Sequence, residues 1–275
     1  MYPKKRLGQH FLVNRSILKR IVEKCDVNKE DTVIEIGAGL GNLTEYLIKE
    51  AGKVIAIEKD PSLIPLLRDR FRLANNLEVV CADSLQFPYA EISVKEQKKL
   101  TIVGNIPFYL TSPLLFQRLE VGAVRNSIMR IVFLIQREVG IRIVASSGIK
   151  DYGVISIICQ AYAKATLLFE VKRGSFYPSP KVDSSLIRLD ILENPKVEKD
   201  IEETFKILVR YAFQKRRKTI LNSLKDRFSA LSKEDLKGSL KDLDIYYMRR
   251  GETLSIEEFR KLARYLSTHY NLGNP

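Results

Sequence analysis

Val33-Ile34-Glu35-Ile36-Gly37-Ala38-Gly39-Leu40-Gly41-Asn42-Leu43-Thr44 is a continuous apolar run followed by three glycines at alternate positions. An apolar run of this kind is a strand buried on both faces of a sheet. Leu43, Tyr46, Leu47 and Ile48 then recur at roughly helical spacing. Strand, glycine loop and helix make the first unit of a nucleotide-binding α/β sheet. Glycine is needed where φ is positive and where a side chain would hold a ligand off the backbone. The next strand, Lys53 to Ile57, ends at Glu58, about 20 residues beyond the start of the loop, where an acid can accept both hydroxyls of a ribose.

The glycines are spaced G-x-G-x-G, whereas a dinucleotide loop is G-x-G-x-x-G. A pyrophosphate requires free N–H groups at a helix start and no acid beside them. Glu35 stands two residues before the first glycine. That acid suits a ligand with a cationic amino group and no phosphate, a description that S-adenosylmethionine fits. The bland alternative is a glycine turn in an unrelated α/β protein, and Glu58 weighs against it. A nicotinamide dehydrogenase is disfavoured by the glycine spacing.

The chain of 275 residues suits one large α/β domain and a small appendage. Its 46 Lys and Arg against 33 Asp and Glu leave a formal charge of +13, which points to a polyanionic partner, RNA or DNA before an anionic membrane. Cys25, Cys81 and Cys159 are isolated, and His10 and His269 are the only histidines, so neither a zinc site nor a disulfide framework is expected. No apolar run reaches the roughly 20 residues of a membrane span, and no apolar signal region follows Lys4, Lys5 and Arg6. The expectation is a cytoplasmic monomer.

Asn14 or Ser16 caps a first helix with Ile17, Leu18, Ile21 and Val22 on one face. Asp60-Pro61 opens a helix after the second strand, with Asp60 as cap; Pro65, close behind, has no place in that scheme. A third strand, Leu77 to Cys81, leads to Asp83 at its carboxyl end, the edge where open parallel sheets bind ligands. A fourth, Leu100 to Gly104, runs into Asn105-Ile106-Pro107-Phe108-Tyr109, and Thr111 or Ser112 caps the helix that follows. Strands at Met129 to Ile135, Ala163 to Lys172 and Ser184 to Leu192 complete the sheet, with a helix at Val154 to Tyr162. Between the last two strands lies Phe176 to Asp183, stiffened by Pro178 and Pro180. The order gives a Rossmann-like, mostly parallel sheet with an antiparallel hairpin at one edge.

After Glu193-Asn194-Pro195 only helical periodicity remains. The expected division is a catalytic domain over residues 1–193 and a small all-helical RNA-binding domain over residues 194–275. In the tail, Lys206, Arg210, Lys215, Arg216, Arg217, Lys218, Lys225 and Arg227 face a single acid, Asp226, with Tyr211, Phe213 and Phe228 interleaved. A solvated helix face mixes signs; this one reads as phosphate contact.

Asn105 to Phe108 carries the chemistry. An exocyclic base amine is a poor nucleophile, because its lone pair is delocalised into the ring. The Asn105 side-chain carbonyl and the Ile106 backbone carbonyl could each accept one of its N–H groups and localise the lone pair. Pro107 has no N–H and keeps the neighbourhood acceptor-rich. Phe108 offers a face on which an extruded base can stack and which attracts developing positive charge.

Gly8-Gln9-His10-Phe11-Leu12, Glu35 to Thr44, Asn105 to Phe108, Gln136-Arg137-Glu138-Val139 and Phe176 to Ser184 resemble the ordered motifs of the ribosomal RNA adenine dimethyltransferases. Ala212-Phe213-Gln214-Lys215-Arg216-Arg217-Lys218-Thr219 resembles the basic signature of the small-subunit (KsgA) type. The resemblance implies S-adenosylmethionine-dependent N6,N6-dimethylation of two adjacent adenosines near the 3′ end of 16S ribosomal RNA, within a pre-30S particle. It implies that His10 and Leu12 line the donor site, that Gly37 contacts the methionine part, and that Glu58 takes the ribose. Asp83 would take the adenine amine, Asn105 both donor and target, and Phe108 and Phe176 the target base. Lys215, Arg216, Arg217 and Lys218 would contact RNA. The family often has Asn at the place of His10 and Tyr at that of Phe108. Relatives that methylate a large-subunit adenine, or that bind nucleic acid without catalysis, are the alternatives. The basic signature opposes the first, and Glu58 with an intact Asn105 motif opposes the second.

Overall fold

The structure, a computed structural model, describes residues 9–215, 217–228 and 231–270. Its contacts divide the chain into two compact units, Met1–Gly140 with Lys164–Ile191, and Ile141–Ala163 with Leu192–Pro275. The division after Ile191 lies beside the expected boundary, whereas Ile141–Ala163, expected with the sheet, groups with the helices of the tail.

The first unit opens with β1 (Phe11–Leu12) and α1 (Arg15–Cys25), which Asn14 caps by accepting the Ile17 N–H. There follow β2 (Thr32–Ile36), α2 (Thr44–Glu50), β3 (Lys53–Glu58), α3 (Ile64–Arg70), β4 (Leu77–Cys81) and α4 (Tyr89–Glu96). Then come β5 (Leu100–Asn105), α5 (Thr111–Glu120), α6 (Gly122–Asn126), β6 (Ile128–Gln136) and the start of α7 (Arg137–Val144). After α8 (Val154–Tyr162), the chain returns to the sheet through β7 (Ala163–Val171), β8 (Phe176–Tyr177) and β9 (Ser184–Ile191).

Seven strands form one sheet in the order β4-β3-β2-β5-β6-β9-β7, and β1 pairs with β8 in a separate two-stranded ribbon. The neighbours from β4 to β6 are parallel, and β9 enters antiparallel to β6. All five residues of β2 are buried, which is why that strand has no polar alternation. Val33, Val54, Val103 and Val132 pack with Leu18, Ile21, Val22 and Leu47 of α1 and α2. Glu35 follows Val33 by two and so takes the same face, beneath the start of α2.

Two helix starts differ from expectation. Asp60 accepts the Ser62 N–H in a tight turn, and α3 begins only at Ile64, so Pro65 stands in its first turn, where a missing N–H costs nothing. Helix α5 starts at Thr111 with no side-chain cap, because a 3-10 turn at Phe108–Leu110 feeds directly into it.

The second unit contains α8 with α9 (Glu202–Gln214), α10 (Ile220–Arg227), α11 (Lys233–Asp242) and α12 (Ile256–Tyr270). Its core includes Phe205, Leu208, Leu224, Leu236, Phe259 and Leu266. Among the described residues no helix is long and apolar enough to cross a membrane.

Candidate active site

The carboxyl ends of β2, β3, β4 and β5 border one solvent-open cleft, about 890 Å³ counting the solvent at its mouth. His10, Gly37, Glu58, Asp83, Asn105, Pro107, Phe108 and Phe176 all line it. Leu12 instead lines an adjoining cavity of about 440 Å³, together with Glu35, and Gly37 and Asn105 border both. Of the residues expected to meet the donor or the base, all but Leu12 line this one cleft.

The glycine loop is bound down to β3. The N–H groups of Gly37 and Ala38 both donate to the Ile57 carbonyl, and that of Gly39 to Glu58 Oε2. These three N–H groups are used inside the protein and are not offered to a pyrophosphate. Gly39 has φ of +60°, and a Cβ there would come within 3.0 Å of the Phe11 ring. At Gly104 a Cβ would stand 2.6 Å from the Ile36 carbonyl, so only glycine lets β5 close on β2 immediately before Asn105.

Glu58 is buried, and its two oxygens each accept one backbone N–H, from Gly39 and Asp60, at 2.8 Å. A carboxylate has about four acceptor positions, so two remain for hydroxyl donors. Asp83 Oδ2 pairs with Lys59 Nζ at 2.7 Å and Oδ1 accepts the Leu85 N–H at 3.0 Å. The Lys59 bond and then the Leu85 N–H hold its carboxyl below the usual range. Glu35 is different. Burial pushes its carboxyl up to about 8, against the pull of the Thr44 hydroxyl, which donates to Oε2 at 2.5 Å. At neutral pH that burial favours the protonated form.

A strap from Gln9 to Asn14 crosses the site. The Asn105 side-chain amide donates to the His10 carbonyl at 2.7 Å, and that of Asn42 to the Leu12 carbonyl at 2.9 Å. His10 Nδ1 lies 2.7 Å from the Pro178 carbonyl, and the His10 ring stacks on Phe108 with centroids 6.2 Å apart. Leu12 pairs with Phe176 and Phe11 with Tyr177 across β1 and β8. Phe176 is buried and presents only part of its ring to the cleft, whereas Phe108 is half-buried. The Asn105 bond to His10 fixes the amide, so that Oδ1 is its acceptor end. Asn42 and Lys59 were not singled out in the sequence; a polar residue after the third glycine and a cation after Glu58 were the available signals.

A family model described as "Ribosomal RNA adenine dimethylase" matches residues 2–262. The chain belongs to the ribosomal RNA adenine dimethylase family. It is 41% identical over 259 residues to the ribosomal RNA small subunit methyltransferase A of Clostridium acetobutylicum, covering 94% of this chain and 92% of that one. It is 40% identical over 269 residues to the protein of that name from Listeria monocytogenes, covering 96% and 90%. Among solved structures, a dimethyladenosine transferase from Plasmodium falciparum is similar with a TM-score of 0.79 at 28% identity, covering 94% of this chain and 98% of that one. The 23S rRNA methyltransferase ErmE is similar with a TM-score of 0.70 at 25% identity, covering 94% and 99%.

The basic stretch around Lys215 lies in the second unit. Lys215 and Lys218 stand 3.6 and 2.8 Å from Asp226, so one acid gathers both, and Arg217 is exposed. Arg216 lies outside the described residues. Lys206, counted with this cluster from the sequence, is buried between Glu202 and Glu203 and leaves it. Its acids lie just upstream of the basic stretch, at helical spacing in α9.

Proposed function

We propose that this chain transfers methyl groups from S-adenosylmethionine to N6 of two adjacent adenosines near the 3′ end of 16S ribosomal RNA, in a pre-30S particle. One observation carries the mechanism: the Asn105 amide is anchored by its nitrogen to the strap, which presents its oxygen as an acceptor at the cleft. Bound S-adenosylmethionine supplies an electrophilic methyl group on a sulfonium. Glu58 accepts the ribose hydroxyls with the lone pairs its backbone bonds leave over. Asp83 accepts from the adenine amine, and Glu35 faces the ammonium end. Gly37, His10 and Leu12 supply the walls.

The target amine gives one N–H to Asn105 Oδ1 and one to the Ile106 carbonyl, which directs its lone pair at the methyl group. Neither acceptor is a base, and the proton released after each transfer leaves to water. Pro107 contributes no competing donor. Phe108 stacks on the extruded base, with Phe176 beneath. The chain of residues 1–193 is the catalytic part, and the helical tail, through Lys215, Arg216, Arg217 and Lys218, holds phosphates. No metal takes part, S-adenosylhomocysteine is the product, and the enzyme acts as a cytoplasmic monomer.

The likeness to ErmE favours a second substrate, a large-subunit adenine; the higher identity to small-subunit enzymes and the basic signature favour the first. Incubation with labelled donor and unmethylated 30S particles, followed by mapping, decides between them. Label on two adjacent 16S adenosines is expected. Label on large-subunit RNA alone would establish the second reading, and a protein that binds donor without transfer would be a non-catalytic relative.

A further inference from the structure

Arg118, on α5, is 1% exposed and is among the largest fully buried side chains of the described residues. A buried cation is costly unless its charge is met. Among the described residues its guanidinium reaches no carboxylate but the Ser84 carbonyl through Nη2, Gln117 Oε1 at 2.8 Å through Nη1, and the face of Tyr89, 3.8 Å from the ring centroid. The Ser84 carbonyl also accepts the Tyr89 hydroxyl, at 3.1 Å. Gln117, its neighbour on α5, donates to the Leu85 carbonyl at 2.6 Å. Two successive carbonyls are thus pinned from behind. That turns the Leu85 N–H toward Asp83 Oδ1 and fixes the Asp83 carboxylate at the cleft. Helix α5 is itself continuous, through the 3-10 turn, with the motif that ends at Phe108. Helix α5 therefore links the turn after Asp83, through Gln117 and Arg118, to the segment that begins at Phe108.

We infer that Arg118 is a positioning residue that sets recognition of the donor's adenine. It clamps the Asp83–Leu85 turn to α5, the helix that follows the Asn105–Phe108 motif. This rests on the reading above that Asp83 meets the adenine amine. A cation fits the task because it bonds a carbonyl more strongly than a neutral donor does, and because its flat face rests on Tyr89.

The test compares binding of S-adenosylhomocysteine and S-inosylhomocysteine, which differ at the purine 6-position, by calorimetry. The wild-type protein is expected to prefer the adenine compound. In Arg118→Met that compound should bind at least tenfold more weakly, the hypoxanthine compound about as before, and the preference should collapse. In turnover the loss should fall on the donor KM more than on kcat. Arg118→Lys, which keeps the charge and one bond, should recover part of the preference. An unchanged preference in Arg118→Met, or an equal loss for both compounds, would overturn the inference and leave Arg118 a packing residue. Should that variant not fold, Tyr89→Phe decides, since it removes only the second donor to Ser84: a reduced preference supports the clamp, an unchanged one refutes it. Asp83→Asn tests the underlying reading separately. If it keeps the adenine preference while Arg118→Met loses it, the turn reads adenine through its backbone and the role given to Asp83 alone falls.

Discussion

The sheet edge and the Lys215–Asp226 cluster both present charged groups for a ligand, and they hold them in opposite ways. At the sheet edge nearly every polar group is committed before any ligand arrives. Glu58 holds two backbone N–H groups, Asn105 holds the strap, and Asp83 holds Lys59. In the helical unit, long cations share one acid at the surface, with Lys215 and Lys218 side chains 59% and 36% exposed. Preorganisation serves a reaction whose geometry must be fixed. Adaptable surface charge serves a phosphate backbone, where position matters less than number. Substitutions at the edge should therefore damage catalysis or donor affinity steeply, and those in the cluster should act shallowly and through salt.

The steepest effect is expected at Asn105. Asn105→Ala should fold and bind particles, yet lose transfer at saturating donor by roughly 10²- to 10³-fold, the scale on which a preorganised transition-state contact acts. Single-turnover methylation at saturating donor measures this, and turnover within a few fold of wild type would remove Asn105 from the mechanism.

Glu58→Ala comes next. A charge-assisted hydrogen bond contributes roughly 1.5–3 kcal/mol, so donor affinity should fall about ten- to a hundredfold. The variant also strands the Gly39 and Asp60 N–H groups, so its melting temperature should drop as well. Calorimetry with unchanged donor affinity would separate Glu58 from the site and leave it as a prop of the loop.

The fold was legible where burial is complete. The apolar runs of β2, β3, β5 and β6 read as strands, and Asn105 and Asp83 could be placed at the carboxyl edge because parallel strands end at a common edge. The rest depended on contacts that spacing does not encode. Asp60-Pro61 has the composition of a helix start, but Asp60 is used in a turn, and Pro65 turns out to open the helix. The apolar pattern of α8 demands burial without saying against what, so its grouping with the tail was invisible. Lys206 looked like one more surface cation because Glu202 and Glu203 lie one helical turn upstream. Arg118 carried no motif at all.

Glu35 tests whether the edge is committed even in its protons. Its folded pKa, raised by burial to about 8, exceeds that of an exposed glutamate, so the folded state keeps a proton that the unfolded chain gives up. The stability this contributes is present below about pH 4.5 and is lost as pH rises through about 8. Glu35→Gln, which mimics the protonated form, should abolish that decline in chemical unfolding between pH 5 and 8. A cationic donor should draw the proton off. Calorimetry at pH 7 in buffers of different ionisation enthalpy should therefore show proton release for wild type and none for Glu35→Gln, with donor affinity changed less than tenfold. Identical buffer dependence in both proteins would place the ammonium away from Glu35.

The shallowest effect belongs to the cluster. Lys215→Gln, Arg217→Gln and Lys218→Gln together should weaken particle binding while donor affinity stays as it was, since these residues lie in the second unit and line neither cavity. Three full phosphate contacts would lower the slope of log affinity against log salt by about 2 to 3, at roughly 0.7 to 0.9 each. Asp226 already neutralises part of the two lysines, so the fall should be nearer 1 to 2. Asp226→Asn gives the opposite sign: it releases both lysines to the RNA and should steepen the slope slightly. Binding to 30S particles over a salt series measures both variants. If the triple variant leaves the slope unchanged, the cations form a solvated face; if Asp226→Asn lowers affinity, Asp226 arranges the lysines for the phosphates and is not merely competing for them.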